Sequence, residues 1–433
     1  MTTQRLVDDG LEKAVRGVRV MDERGSFGEP VDVVVSGGRV LRLGPGAGAG
    51  LPFYDASERW LMPGIVDCHT HLGCFTTSTD EILSMSVTRW TLEVARNAAK
   101  VLDMGITTIR DPATADSGIR DAIMTGAVPG PTIQVSGGAL SQTGGHVDGF
   151  VPILGLECSS GFMIPDYPGR VEHCVDGPEE VRRAVRRFAR AGVDWIKICT
   201  TGGLLSTMPD HPDKPEFTVE EIQMAAEEAA RARIPVCVHA YGGVGLDRAV
   251  AAGVRSIEHG LYLTEAQAAA MAKNDCWLVP TLAVCEELVR LADSAQIPPP
   301  VVAKVREIEG VIGRQVEIAR SAGVRIAMGS DLVVQGTNLH ELDLLAQAGM
   351  PPEEVLVAAT SGGAELLGLE RTHGRIAPGY VFDAVLLDDD PRDTSIFRNE
   401  RPVSAVFQGG RVVRPHDTWD TTGFANRTLE GIR

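Results

Sequence analysis

Eight short apolar runs, separated by segments with helical patterning, fill the middle of this 433-residue chain. The segments between them include residues 177–192 and 218–233, and the second begins with Thr218 and Glu221 at the spacing of a capping box. Strands that alternate with helices predict a parallel sheet, and eight of them match a (β/α)8 TIM barrel. A doubly wound open sheet has similar spacing, but no GxGxxG or Walker-type loop supports it. The predicted strands are 64–71, 106–111, 132–137, 194–200, 235–241, 256–260, 277–282 and 325–331.

Both ends of the chain are rich in predicted strands. Residues 31–46 contain two short apolar runs separated by Gly37 and Gly38, which is a hairpin pattern. The C-terminal stretches "YVFDAVLLDDDP" and "VSAVFQGGRVVRP" have the same character. We therefore expect one small β-sandwich domain built from residues 1–62 and 371–433, beside a barrel domain of residues 63–370. The polar tail after Pro415 is expected to be loosely held.

The segment from about Leu140 to Asp176 interrupts the alternation of strands and helices. It follows the third predicted strand and is rich in glycine, proline and aromatic residues. In a barrel it would lie over the C-terminal face, where lids and substrate pockets form. We therefore expect a lid-like insert.

Charge and cysteine usage indicate an acidic protein of a reducing compartment. The chain has 41 Lys and Arg against 58 Asp and Glu, a formal charge of −17, which argues against a nucleic-acid surface. The N-terminus has no apolar run of the signal-peptide type, and no run is long enough to span a membrane. The eight scattered cysteines include no CxxC pair and are expected to be reduced thiols. We expect a cytoplasmic protein.

The fourth predicted strand, "DWIKICT", carries a lysine among apolar residues. A buried lysine must be paired, shift its pKa or take part in chemistry. Lys197 could extend its amine to the strand end or form an ion pair with Asp331. A third possibility is that a neutral Lys197 amine captures carbon dioxide as a carbamate, a two-oxygen anion that can bridge two metal ions.

Side chains that bind metals are concentrated at the ends of the predicted strands. His69 and His71 are two residues apart, so they point the same way from an extended chain. Because parallel strands of a barrel present their carboxyl ends on one face, these side chains should converge there. The six candidate ligands are His69, His71, Lys197, His239, His259 and Asp331.

This set predicts a site for two divalent metals. The histidines of the first strand would bind one metal, those of the fifth and sixth strands would bind the other, and Lys197 and Asp331 would complete the site. Two metals roughly 3.5–4 Å apart can hold a bridging hydroxide of lowered pKa. Asp331 could take a proton from that hydroxide and pass it to a leaving amine. Zn, Mn and Co all suit these ligands, with Zn the expected metal.

Several stretches resemble the motifs of the amidohydrolase superfamily, in order and over nearly the whole chain. They are "LMPGIVDCHTHLG", "WIKICTTGGLLS", "VCVHAYG", "SIEHG", "AMGSD", "GMPPEEVLVAATSGGAELLGL" and "GRIAPGYVFDAVLLDDDP". Within it, "TGGHVD" and "HAYG" are similar to the zinc-dependent prolidase and carboxypeptidase branch, which includes ochratoxinase-like amidases. The resemblance implies that the six candidates are ligands, with Lys197 carboxylated, and that the enzyme is a homo-oligomer.

Two further residues are expected to contact the substrate by this resemblance. His146 lies on the insert, and Tyr241 lies two residues after His239 and so faces the same barrel mouth. Either could bind a substrate carboxylate or a developing oxyanion, although a loop histidine and a packed aromatic are the plainer interpretations. Gly202 and Gly203 would let the backbone approach the site. His340 is expected on a helix surface.

The predicted function is hydrolysis of dipeptides or N-acyl amino acids with a free carboxylate by the metal-bridging hydroxide. The alternative is hydrolysis of neutral or cyclic amides, carbamates, ureas or xenobiotics on the same two metals. A deaminase or imidazolone ring opener usually has one metal and lacks the lysine, so Lys197 counts against it. A non-enzymatic scaffold is disfavoured by the complete ligand set. The only expected partners are a small-molecule substrate and further copies of the chain.

Overall fold

The computed structural model describes residues 11–76, 81, 84–150, 167, 170–205, 210–294 and 296–416. They form an α/β fold with one mixed sheet and two parallel sheets. The strands are β1 Lys13–Val20, β2 Val31–Ser36, β3 Arg39–Gly44, β4 Phe53–Asp55, β5 Trp60–Pro63, β6 Ile65–Asp67, β7 Ile106–Asp111, β8 Thr132–Val135, β9 Ala139–Leu140, β10 Ile196–Cys199, β11 Val236–Ala240, β12 Ser256–His259, β13 Trp277–Val279, β14 Ala384–Leu387, β15 Ala405–Gln408 and β16 Arg411–Arg414.

The helices follow the strands of the parallel sheets for most of the chain's length. They are α1 Val87–Asp103, α2 Ser117–Met124, α3 Pro178–Arg190, α4 Val219–Ala232, α5 Gly243–Ala251, α6 Glu265–Lys273, α7 Leu282–Asp293, α8 Pro299–Ile308, α9 Arg314–Ser321, α10 His340–Gln347, α11 Pro352–Ala358 and α12 Ser361–Leu366, and a 3-10 helix spans Thr394–Arg398.

The mixed sheet is built from both ends of the chain. Its order is β16-β15-β14-β5-β1-β2-β3, with β4 paired to β1. The predicted hairpin is confirmed as β2 and β3, and Gly37 and Gly38 have φ of +59° and +75°, a conformation that glycine adopts without steric cost. β5 pairs with β14 in antiparallel register, Leu61 opposite Leu386. The N-terminal and C-terminal strands therefore share one sheet.

Two parallel sheets carry the middle of the chain. One has the order β6-β7-β8 and the other β13-β12-β11-β10-β9. Every residue of β6, β7, β10, β11, β12 and β13 is buried, as expected for strands covered on both faces. Apolar residues from each of these strands join one large hydrophobic cluster with α1, α3 and α4, and a second cluster contains Val66, Trp277 and Val279. Seven of the predicted strands thus correspond to observed ones.

The eighth predicted strand, 325–331, is wrong as an extended strand. The structure has only a parallel bridge there, between Ile326 and Leu278. The backbone donors of this segment diverge: the N–H of Ala327 donates to Leu278, whereas that of Met328 donates to Ala358. Asp331 has φ of +55°, outside the extended region. The segment still passes alongside β13 and the end of β6.

The two predicted helices are confirmed as α3 and α4. The Thr218 side chain accepts the Glu221 N–H at the start of α4, and the Glu221 carboxylate accepts the Thr218 N–H at 2.6 Å, which completes the capping box. None of the helices that the structure describes combines the length and apolarity needed to cross a bilayer.

The predicted insert begins at β9 and returns to it through a parallel bridge between Ser141 and Cys174. Most of its middle, like the tail after 416 and Cys158, lies outside the described residues. The seven other cysteines are buried. His340 is the first residue of α10 and is half-buried, with its Nδ1 3.6 Å from a Glu286 oxygen. It is not part of the histidine cluster described below.

Candidate active site

The six predicted ligands lie at one end of the parallel strands. His69 and His71 follow β6 directly, and His259 is the last residue of β12. Parallel pairing places Ala240 of β11 opposite His259, so His239 is close to it. The other three candidates are in β10, in β11 and beyond the Ile326 bridge: Lys197, His239 and Asp331.

His69, His71 and Asp331 form a compact group whose ligand atoms all lie within 4.8 Å of one another. The Nε2 atoms of His69 and His71 lie 3.5 and 3.1 Å from the same Asp331 oxygen, Oδ1. Their Nδ1 atoms face other carboxylates, Glu258 at 2.7 Å and Asp111 at 3.7 Å. Both rings therefore present Nε2 to one point.

His239 and His259 form a second group with a different environment. The Nδ1 of His239 lies 2.9 Å from the Nε2 of His259, and the His239 Nε2 lies 3.0 Å from the Gly202 carbonyl oxygen. The His259 Nδ1 lies 2.7 Å from the Thr281 hydroxyl. The two groups adjoin, because the ring centroids of His69 and His259 are 5.2 Å apart.

Three residues of the cluster have left-handed backbone conformations that are unfavourable for side chains with a Cβ. The φ angles are +73° at His259, +55° at Asp331 and +50° at Thr281. Each such residue costs of order 1–3 kcal/mol, and such strain is concentrated at functional sites. The strain supports a functional cluster.

Lys197 is only 4% exposed. Its charge is among the causes that lower the pKa of His69, His239 and His259, so its amine is close to both groups. Among the described residues, no carboxylate forms an ion pair with it, Asp331 included. A positive charge on this side chain would repel a metal ion bound at either group.

The histidine pKa values differ between the two groups. Burial lowers the pKa well below its ordinary value at His69, His239 and His259. Burial opposes the proton on His71 as well, but contacts with Asp111 and Asp331 outweigh it and raise the His71 pKa to about 9. Burial alone would raise the pKa of Asp331, yet the neighbouring histidines lower it. Three neutral imidazoles and an ionised carboxylate are therefore available.

His146 and Tyr241 adjoin the second histidine group. The His146 ring stacks on His239 at 4.2 Å between centroids, and the Tyr241 ring stacks on His259 at 5.1 Å. Burial is the main cause that raises the pKa of Tyr241 well above its ordinary value. The Tyr241 hydroxyl therefore keeps its proton and can donate a hydrogen bond.

Gly202 and Gly203 are required by close approach, as predicted. A Cβ on Gly203 would lie 1.8 Å from the His146 ring, and a Cβ on Gly202 would lie 1.8 Å from an Asp210 oxygen. Any larger residue would displace His146 or the loop. Gly203 thus allows His146 to reach His239, and Gly202 allows Asp210 to approach the same loop.

The charged residues around His146 were not predicted from the sequence. The His146 N–H donates to Glu216 Oε1 at 2.6 Å, and its Nδ1 lies 3.6 Å from Asp210 Oδ2. Lys304 of α8 donates to the Gly203 carbonyl at 2.8 Å. Burial is the main cause that raises the pKa of Glu216 to about 8. These residues are far apart in sequence and form no motif.

Three buried carboxylates behind the histidines were also missed. Glu258 and Asp111 contact the histidine rings, and Asp67 accepts the His69 N–H at 3.1 Å and the Ser330 hydroxyl at 2.6 Å. Glu258 precedes His259, and Asp67 precedes His69 by two residues. That adjacency was the available signal.

The donor set fits divalent metals. Imidazole nitrogens with a carboxylate suit Zn, and also Mn or Co. The fit is strongest at the first group, where two Nε2 atoms and a carboxylate oxygen face one point.

The sequence profile described as "Amidohydrolase family" matches residues 60–413. The chain belongs to the amidohydrolase family. This match includes all six candidate ligands together with His146 and Tyr241, and family membership supports a hydrolase.

Relatives of this amidohydrolase extend over most of its length. The Ochratoxinase of Aspergillus niger is 33% identical over 365 residues, 82% of this chain and 75% of that protein. A prolidase structure complexed with N-methylphosphonate-L-proline has a TM-score of 0.85 and 32% identity, covering 94% and 100% of the two chains. A Xaa-Pro dipeptidase structure with bound methionine in the active site has a TM-score of 0.84 and 28% identity, covering 93% and 100%. The resemblance to the prolidase and ochratoxinase branch is confirmed.

Proposed function

We propose that this amidohydrolase cleaves dipeptides or N-acyl amino acids at the amide bond to a residue with a free carboxylate, using two divalent metals. The observation that carries the proposal is the continuous row of rings from His71 through His69, His259 and His239 to His146, with neighbouring centroids 4.2–5.2 Å apart. Metal ligands and a substrate-binding residue would thus be adjacent. Prolidase, dipeptidase and ochratoxinase relatives are consistent with this chemistry.

We further infer that the two parallel sheets close into the predicted (β/α)8 barrel. Support comes from hydrogen bonds at both gaps: Asp194 N–H to Val135 at 2.8 Å, and Cys68 N–H to Met328 at 2.8 Å. The proposed domains stay at 63–370 for the barrel and at 1–62 with 371–433 for a β-sandwich. The apolar cluster that Val18 and Leu61 share with Phe382 and Phe407 supports the second.

The proposed metal ligands divide between the two histidine groups. When bound, the metals would polarise the scissile carbonyl and activate a water molecule. Lys197, near both groups, would contribute ligand oxygens as a carbamate. The first metal would be held by His69 and His71, the second by His239 and His259, and Asp331 completes the set.

The remaining chemistry falls to side chains of the site. Asp331, ionised beside the histidines, would accept the proton of the attacking water and return it to the leaving amine. The Tyr241 hydroxyl, which keeps its proton, would donate to the developing oxyanion or to the substrate carboxylate. His146, whose Nδ1 faces Asp210, would contact the same carboxylate or the carbonyl oxygen.

The test is a panel of dipeptides and N-acyl amino acids, each with a free and an amidated C-terminus, assayed with Zn- or Mn-loaded protein. We expect cleavage of the free acids only. Tyr241→Phe and His146→Asn should each lower kcat/KM by about 10²–10³-fold. Matched controls are Tyr262→Phe and His211→Asn, because Tyr262 is half-buried next to Tyr241 and His211 is bound to Asp213 and Glu307.

Equal cleavage of free and amidated substrates would remove the carboxylate-binding roles of His146 and Tyr241. The search would then move to neutral amides, carbamates and ureas. A homo-oligomeric, cytoplasmic enzyme is part of the same proposal, and sedimentation of the purified protein would measure its size.

A further inference from the structure

Two consecutive residues of β7 lie behind the two histidines of the first group. Asp111 lies 3.7 Å from the His71 Nδ1, and Arg110 reaches Glu258, whose carboxylate lies 2.7 Å from the His69 Nδ1. Neighbouring residues of one strand point in opposite directions, so one strand end can support both histidines.

Arg110 and Glu258 form a completely buried ion pair. An Arg110 Nη2 donates to Glu258 Oε2 at 2.7 Å, and both side chains are 0% exposed. Arg110 also donates to the Cys68 carbonyl at 2.5 Å and stacks over Trp195 at 4.6 Å. Ser256 donates to the other Glu258 oxygen at 2.5 Å. Arg110, itself held by Cys68 and Trp195, and Ser256 together fix the orientation of the Glu258 carboxylate.

Asp111 is equally constrained. One of its oxygens accepts the Leu72 N–H at 2.9 Å and the Thr114 hydroxyl at 2.6 Å, and the other accepts the Thr114 N–H at 2.6 Å. The carboxylate therefore has no freedom to follow a rotating His71 ring. A rigid acceptor fixes the orientation of the ring that faces it.

We propose that Arg110, Asp111 and Glu258 are positioning residues that fix the tautomer and direction of His69 and His71. Glu258 accepts at 2.7 Å, so the hydrogen of a neutral His69 is held on Nδ1 and its lone pair is left on Nε2. The Asp111 oxygen, 3.7 Å from the His71 Nδ1, favours the same tautomer of His71 by its charge once that ring has lost its second proton. Both Nε2 atoms then face the Asp331 oxygen at 3.5 and 3.1 Å. The inference rests on the proposed function, because it takes this point as the first metal position.

Each of the two histidines needs its own carboxylate near Nδ1, because a neutral imidazole has a single nitrogen lone pair with which to bind a metal. A ring whose hydrogen moves to Nε2 cannot bind the metal there, and a ring that rotates presents carbon instead. Removal of the supporting acceptor should therefore weaken metal binding without removing any ligand. Outer partners of metal-binding histidines typically contribute 10–100-fold in affinity.

The experiment compares Zn²⁺ affinity by competition with a chromogenic chelator in Glu258→Gln, Asp111→Asn and Arg110→Lys. We expect affinity at the first metal position to fall about 10–100-fold in the first two variants, and less in Arg110→Lys, which keeps the charge. The matched control is Asp383→Asn, a buried carboxylate that accepts the Gly409 N–H at 2.7 Å and contacts no ligand. Its affinity should equal that of the wild type.

A second readout separates positioning from general loosening of the fold. The visible spectrum of the Co²⁺-substituted protein reports ligand geometry, and it should change in Glu258→Gln while the circular dichroism and the unfolding midpoint are retained. Wild-type affinity and an unchanged cobalt spectrum in both carboxylate variants would overturn the inference. Wild-type protein that binds metal but cleaves no substrate would overturn the proposed function alone.

Discussion

The two histidine groups of the site differ in what stands behind them. His69 and His71 have a carboxylate at each Nδ1, from Glu258 and Asp111, and their Nε2 atoms face one point. We call this the carboxylate-supported group. Both Nε2 atoms are already directed at the point where a metal would bind, so binding requires loss of the His71 proton but no rotation of either ring.

In the other group, His239 and His259, the hydrogen-bond partners of the rings are all neutral, and the nearest carboxylate oxygen, Oδ2 of Asp331, lies 3.8 Å from the His259 Nδ1. The His239 Nδ1 and the His259 Nε2 are hydrogen-bonded at 2.9 Å. The other ring nitrogens are hydrogen-bonded to the Gly202 carbonyl and to the Thr281 hydroxyl. A metal bound there must separate the two nitrogens. The comparison teaches that two similar histidine pairs can differ in preorganisation, and we expect the carboxylate-supported group to bind its metal more tightly.

The largest expected effect comes from removing the residue that adjoins both groups. Lys197→Ala should lower the metal content from two to about one per chain, retained by the carboxylate-supported group. The kcat should fall by roughly 10³-fold, the upper range for one electrostatic group in a catalytic site. Metal analysis and steady-state kinetics measure both.

Acetate would supply the two oxygens of the proposed Lys197 carbamate, so it should partly restore activity to Lys197→Ala. It should not raise the activity of the wild type. Two tightly held metals and wild-type kcat in the variant would contradict the proposed role of the carbamate.

The pH dependence of metal binding should differ between the groups. The His71 pKa of about 9 in the metal-free protein means that its proton competes with metal at every lower pH. Affinity of the carboxylate-supported group should rise about tenfold per pH unit up to about pH 9. His239 and His259 are already neutral, so the affinity of their group should change little above pH 7.

Single-metal variants separate the two affinities. His259→Asn leaves the carboxylate-supported group, and His71→Asn leaves the other. Parallel pH profiles for the two variants would remove the distinction between the groups.

The His71 proton also affects the stability of the metal-free protein. Because folding raises the His71 pKa, the protonated ring contributes its full stabilisation below the unfolded pKa of about 6.5. This contribution is lost as the pH rises through the folded pKa of about 9.

The smallest effect is expected from a single hydroxyl. Thr281→Val removes the group that lies 2.7 Å from the His259 Nδ1 while keeping the side-chain shape. The metal affinity of the group formed by His239 and His259 should fall about tenfold, which is the lower end of the effect of an outer partner of a metal ligand. Chelator competition measures it.

The control for Thr281→Val is Thr360→Val, because Thr360 is a buried threonine whose hydroxyl donates to the Leu356 carbonyl at 2.6 Å, away from the site. Equal affinities in both variants would show that the neutral partner does not position His259.

The fold was predictable where periodicity and burial coincide. Residues 106–111 are all buried and form β7 with the predicted bounds. A continuous run of strand-favouring residues is typical of a parallel strand that is covered on both faces. Residues 325–331 look similar in sequence, yet their backbone donors serve different partners. β9 has two residues, Ala139 and Leu140, too few to show a period.

The placement of the four histidines was predictable because they lie at or just beyond the ends of parallel strands, and strand ends converge. Lys197 lies within β10, and Asp331 follows a segment that is not an extended strand. The supports of the histidines were not predictable, because Arg110 and Glu258 are 148 residues apart and resemble ordinary strand charges. Only packing reveals that one neutralises the other in the interior. The surroundings of His146 could not be predicted for the same reason, because Glu216, Asp210 and Lys304 come from separate parts of the chain.

The shared sheet of the two chain ends has a consequence for synthesis. β5 is paired with β14, Trp60 opposite Leu387, so the N-terminal strands lack their neighbour until more than three hundred further residues have been translated. During that interval the edge of β5 is open to other chains. Ribosome-bound intermediates should therefore depend on chaperones until β14 emerges.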